Sequence, residues 1–225
     1  MEEIQGDEES PDVLSLKGIQ FDTITKSTEI ISPQSFQVYP QSRATPVAVF
    51  DFLEALREFL GSPLDYDRKK VLCWTLTAGK DWYGMLVEDP RRHWASFKDY
   101  VFHFSFPSRP WLESEGSQDS DSDSDDNDNA YGTKSDAFFE AASNACTGRK
   151  LFITRKGHLC LGPGALQEDD VVCVLFGGIV PFVLRRCEDA SCLLVGECYV
   201  HGFMQGEIVK EWEDGKLSSD VFHLR

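Results

Sequence analysis

The chain is predicted to fold as α+β: a small antiparallel β-barrel interrupted by a helical insertion. Three observations point there. Apolar residues recur at three- and four-residue steps between 45 and 147. From Arg149 onward they alternate or fall in short runs, and a strand-like stretch near the N-terminus has no neighbouring strand to pair with.

Taken in order, residues 1–12 are acidic and are expected as a disordered tail. The stretch 13–31 reads as strand, with Leu14, Leu16, Ile19, Phe21 and Ile24 alternating apart from a slip at Gly18. A lone strand is not stable by itself, so it is expected to cross back and complete the C-terminal sheet. The barrel is then 13–31 plus 149–211, and 45–147 becomes an insertion between its two segments. Within the insertion, Thr45-Pro46 offers an N-cap and a first-turn proline to a helix carrying Phe50, Leu53, Leu56, Phe59 and Leu60, which Gly61 and Pro63 stop. A second helix should start at 65–67, carry Val71, Leu72, Trp74 and Leu76, and end near Gly79. A third, 91–104, carries Trp94, Phe97, Tyr100, Val101 and Phe104, and these aromatic stripes read as core. Between 113 and 128 stand eight acids and no base, interleaved with serines, so 113–130 is expected as a disordered, solvated loop. Ser120 and Ser122 each have an acid three residues later, the pattern an acid-directed serine kinase selects. Thr133-Lys-Ser-Asp136 resembles a capping box for a short fourth helix, 137–146, with Gly148 as its stop.

The strands read as 150–154, 158–161, 171–176, 179–185 and 192–200. Gly177-Gly178 fits a two-residue hairpin turn, Arg155-Lys-Gly157 serves similarly in the preceding hairpin, and Pro181 places its strand at an edge or bulge. Closing the sheet is the simplest way to hide its edges. Residues 212–225 are left as a C-terminal tail.

Composition narrows the function. A formal charge of −16 and a pI near 4.6 oppose a phosphate backbone at every approach, which argues against nucleic acid as a partner. No apolar run is long enough to span a bilayer, and the N-terminus is acidic where a secretory signal starts basic, so a soluble, intracellular, cytoplasmic protein is expected, with the nucleus left open and no membrane partner. Seven cysteines, odd in number and scattered through apolar stretches, read as reduced core residues of a reducing compartment.

The densest polar cluster is Glu197, Cys198, Tyr199, His201 and Glu207, around the glycine-bearing turn Gly202-Phe-Met-Gln-Gly206. Cys187, Cys192, Cys198 and His201 have the residue types of a zinc site but spacings that match no common ligand pairing. Strand alternation sets Cys198 and His201 on opposite faces, which counts against both a metal and a Cys–His nucleophile pair. Gly162-Pro-Gly164 lacks the Lys and Ser or Thr of a phosphate loop and leads into no helix. Arg91-Arg92 beside His93 and Trp94 reads as the solvated start of a helix. No cofactor and no metal are expected.

Five blocks carry a family resemblance: Arg149-Lys-Leu-Phe-Ile-Thr154, Lys156-Gly-His-Leu-Cys-Leu-Gly-Pro163, Asp169-Asp-Val-Val-Cys-Val-Leu-Phe-Gly-Gly178, Val180-Pro-Phe-Val-Leu-Arg185 and Leu194-Val-Gly-Glu-Cys-Tyr-Val-His-Gly-Phe-Met-Gln-Gly-Glu207. With Leu16-Lys-Gly-Ile-Gln-Phe-Asp-Thr-Ile24, they resemble the C-terminal region of fungal heterokaryon incompatibility proteins. The last block is the specific one, and Glu197, Tyr199, His201, Gly202, Gly206 and Glu207 match it. The Tyr-x-x-Leu-Ser-Tyr-x-Trp-Gly and Trp-Ile-Asp-x-x-Cys-Ile-Asn-Gln blocks of that family's N-terminal incompatibility domain do not occur in this sequence. The resemblance implies non-self recognition and programmed cell death for the complete protein, of which this chain would be the downstream half, a short paralogue or a truncated product. The expected role is a non-enzymatic accessory or interaction module with protein partners, its motif residues shaping a turn. The alternative is a small-ligand-binding or enzymatic domain with its site at the turn 198–207.

Overall fold

The computed structural model describes residues 13–36, 47–61, 64–104 and 134–225. The acidic tail 1–12, the loop 113–130 with Ser120 and Ser122, and the Thr45-Pro46 and Thr133 caps lie outside these residues. In chain order the elements are β1 (Leu14–Ser27), a 3-10 turn (Pro33–Phe36), α1 (Val47–Leu60), α2 (Tyr66–Leu76), α3 (Pro90–Phe104), α4 (Lys134–Cys146), β2 (Arg149–Thr154), β3 (Leu159–Pro163), β4 (Val171–Leu175), β5 (Phe182–Arg186), β6 (Cys192–Glu197), β7 (Tyr199–Val200), α5 (Glu207–Glu213) and β8 (Asp220–Leu224).

Local chemistry sets the helix ends. Asp65 caps α2 by accepting the Arg68 amide at 2.8 Å. Asp89 does the same for α3, accepting the Arg91 and Arg92 amides at 2.9 and 3.1 Å ahead of Pro90 in the first turn. Gly148, at φ +77°, ends α4 and donates its amide to the Ile31 carbonyl at 2.9 Å, tying the helix to the chain that follows β1.

The N-terminal strand does cross back. β1 pairs antiparallel with β8 through Leu14–Gly18, with β4 through Gly18–Thr23 and with β2 through Ile24–Ser27. Register shifts after Gln20 and after Ile24 bend it between these partners. Gly18 is required where the two ladders meet, because a Cβ there would stand 2.6 Å from the Val174 carbonyl. The sheet order is β4-β5-β6-β8-β1-β2-β3-β7, and β4 also pairs with β1, so the pairings run in a circuit β1-β4-β5-β6-β8-β1. One parallel pair, Cys192 with Leu224, joins β6 to β8.

Three buried clusters fill the molecule. Val171, Cys173, Leu175, Leu184, Cys192, Phe222 and Leu224 meet on one face of β4. Val172, Val174, Ile19, Phe21, Phe152 and Cys160 meet on its other face. Burial on both faces is why β4 reads as an unbroken apolar run. The third cluster packs Leu53, Leu56, Leu72, Leu76, Phe97, Tyr100 and Phe138 of the helices on Leu151, Leu159 and Leu161 of β2 and β3.

Several expectations are corrected. The supposed tail 212–225 holds the end of α5 and all of β8, whose partner β1 lies two hundred residues away and is invisible to local patterning. The region 149–211 is not all sheet, since α5 starts at Glu207 behind Gly206 at φ +89°. Gly177-Gly178 is not a closed two-residue turn: the β4–β5 register of Val171 with Leu184 and Cys173 with Phe182 points to that tip, but the ladder opens beyond Cys173. The strand expected over 192–200 breaks at Cys198, where the chain leaves β5 for β3. His93 is not at a solvated helix start; it is buried between α2 and α4.

Candidate functional site

The break at Cys198 turns the motif block through two environments. Glu197 ends β6 exposed, opposite Phe182. Cys198 is buried, its amide donating to the Pro181 carbonyl at 2.9 Å, and its side chain joins Cys160 and Val200 in the cluster beneath β4. Tyr199 and His201 face the helices instead. Cys198 and His201 therefore point to different sides, as alternation requires. Cys192 belongs to the cluster of β5 and β8, so the four residues of the zinc pattern are dispersed. Among the described residues, no three His, Cys, Asp or Glu side chains are grouped to hold a metal ion.

The turn is held by its own atoms. Tyr199 Oη and His201 Nδ1 share a hydrogen bond at 3.1 Å. The Phe203 amide donates to the Val200 carbonyl at 3.0 Å, and the Val200 amide donates to Met204 Sδ at 3.4 Å. Gly202 and Gly206 take φ of +83° and +89°, which a side chain would strain. Glu207 Oε2 accepts the Gln205 amide at 2.8 Å, closing the turn onto α5. The Phe203 ring meets His158 at 4.8 Å and Phe21 at 5.7 Å, anchoring the turn to the sheet.

The residues that meet this turn from the helices carry no local signal of their role. Gly79, at φ +69°, lets the chain leave α2 against the Tyr199 ring, with 3.3 Å between that ring and the place of a Cβ. Trp74 stacks on His201 with ring centres 6.2 Å apart and meets His93 at 5.0 Å with the rings tilted. His93 Nε2 hydrogen-bonds Thr77 Oγ1 at 3.1 Å. Burial lowers the proton affinity of both imidazoles, His93 down to about 4 despite some opposing pull from the Cys73 carbonyl and the Asp81 charge. Burial likewise raises the Tyr199 phenol and the Cys73, Cys146 and Cys198 thiols well above their usual range, and Cys173 to about 12. These thiols stay protonated at neutral pH and are poor nucleophiles.

Beyond Gly79 the chain makes an ordered loop. Asp81 Oδ1 accepts the Tyr83 and Met85 amides at 3.0 and 2.9 Å, and the Asp81 amide donates to the Met85 carbonyl at 2.8 Å. Trp82, Tyr83, Met85 and Leu86 stand exposed around this frame, Tyr83 at 69%. Composition marked none of them, because one Trp-Tyr pair between two helices looks like any loop.

A family model described as the Het-6 beta-barrel domain matches residues 88–217, more than half of the chain. A curated relative, heterokaryon incompatibility protein 6, OR allele, of Neurospora crassa, is 41% identical over 64 residues, which cover 27% of this chain and 9% of that protein. No solved structure matches the chain.

Proposed function

The chain belongs to the Het-6 beta-barrel domain family, and on that premise we propose that it works as a non-enzymatic interaction module, related to fungal heterokaryon incompatibility proteins, that docks a protein partner. One observation carries this reading: the Asp81 carboxylate and the loop's own backbone hydrogen bonds hold it in shape while the side chains of Tyr83, Met85 and Leu86 stay exposed. Aromatic residues and methionine are enriched at protein interfaces, and a loop already hydrogen-bonded loses little freedom on docking. The polar groups of Tyr199, His201 and Glu207 are used within the turn, and burial keeps the thiols protonated; both favour a structural over a catalytic role for the motif. The strand circuit is read as the family's barrel, the rigid support that sets the turn 198–207 against α2. Non-self recognition and programmed cell death are assigned to the whole protein inside the fungal cell.

Capture of fungal proteins on the purified chain, compared with a Tyr83→Ser, Met85→Ser, Leu86→Ser triple variant, tests this. The exposed positions predict unchanged circular dichroism and melting with loss of a discrete bound protein. Equal capture by both chains would refute the loop as the docking surface.

A further inference from the structure

Trp74 neighbours two imidazoles that come from different layers of the molecule. His93 approaches from α3 with ring planes 47° apart, and His201 approaches from the turn after β7 with planes 29° apart. One nitrogen of each ring is already bound, His93 Nε2 to Thr77 Oγ1 and His201 Nδ1 to Tyr199 Oη, both at 3.1 Å. Around His93, α2 presents Cys73 and Thr77, α4 presents Phe138, and the loop after α2 presents Asp81, whose carboxylate is engaged by the Tyr83 and Met85 amides. Around His201, β7 presents Tyr199 and α2 presents Trp74.

We propose that the His93–Trp74–His201 stack is an acid-released latch: with both imidazoles neutral it clamps the turn 199–206 to α2, and proton uptake at the two rings frees the turn. A neutral imidazole packs against indole as an ordinary aromatic ring. An imidazolium needs water, which is withheld from buried His93 and partly from half-buried His201, and two of them would share one indole as neighbour. Burial leaves both rings with lowered proton affinity. The open turn thus binds protons more tightly than the closed one. The clamp is at full strength above the ordinary histidine value near 6.5 and weakens as pH falls from there toward about 4, the value for His93.

Native-state hydrogen exchange of the full chain from pH 7 to pH 5, corrected for the intrinsic exchange rate, measures this directly. Below the ordinary histidine value the open fraction rises up to about tenfold per pH unit for each proton taken up. Peptides covering 199–206 are expected to open more as pH falls in that range, by up to about two decades per pH unit for the two rings, while peptides covering Val171–Leu175 of β4 do not respond. His201→Gln and His93→Gln should each flatten that slope. Tyr199→Phe, which removes a hydrogen bond but no titrating imidazole, should raise the level of opening and keep the slope. A turn whose opening does not change with pH, or a slope that survives both histidine substitutions, overturns the latch.

Discussion

Phe222→Ala separates a working strand from a loose tail. Phe222 is 3% exposed in β8 and packs with Leu16, Val171, Cys173, Leu175, Leu184, Cys192 and Leu224. Removing a fully buried phenyl ring costs about 3–5 kcal/mol, from lost transfer energy and the cavity left behind. The site adjoins the seam where one residue pair joins β6 to β8, which lets the walls relax, so the lower end, about 3 kcal/mol, is expected. In a domain of this size that corresponds to a fall in Tm of about 6–12 °C. Urea unfolding followed by circular dichroism should give the same loss with an unchanged slope. Val221, the adjacent residue, is 58% exposed on the other face, so Val221→Ala should stay within about 0.5 kcal/mol. Equal small effects at both positions would refute the packing of β8, because a frayed tail has no inside and outside.

Further outcomes follow from other contacts. Asp170 is buried and accepts the Arg185 Nε and Nη2 at 2.8 and 2.9 Å and the Gln167 amide at 2.8 Å. Asp170→Ala strands a guanidinium that water still reaches, for a loss of about 3 kcal/mol by chemical denaturation, while Asp170→Asn should lose less; equality of the two would mean that the charge is immaterial. Gly79→Val puts a β-branched residue at positive φ against Tyr199 and should cost about 1–3 kcal/mol, whereas Gly84→Val, in open space, isolates the φ contribution. A thiol reagent added to the native chain should modify Cys187 first, the cysteine that is not buried, with the others reacting only as the chain unfolds; rapid modification of Cys198 would remove the structural reading of the turn.

Helices are the most legible elements of this fold, since α1 to α4 follow from apolar spacing within a few turns; that Asp65 caps α2 is seen only in the structure. Strand identity was also legible, because period-two alternation and short apolar runs are local. Register was less so. Gly177-Gly178 reads as a closed turn because the sequence shows what a glycine pair permits, while the end of the β4–β5 ladder at Cys173 and Phe182 is visible only in the paired strands. At the turn, the motif residues were found, but Trp74, His93 and Gly79 were not. Trp74 and Gly79 meet it across more than a hundred residues of chain, His93 reaches it only through Trp74, and a histidine after two arginines carries no sign of burial.

The amino-acid sequence by itself determined the α+β composition, the identity of β1 as a strand in need of partners and the family motif at 194–207, since all three are written in spacings of a few residues. Tertiary structure alone decided that β8 exists, that the strand breaks at Cys198, and that two histidines share one indole. Those outcomes depend on which distant surfaces remove apolar groups from water together, and that free energy belongs to the pairing of segments, with neither segment carrying it alone.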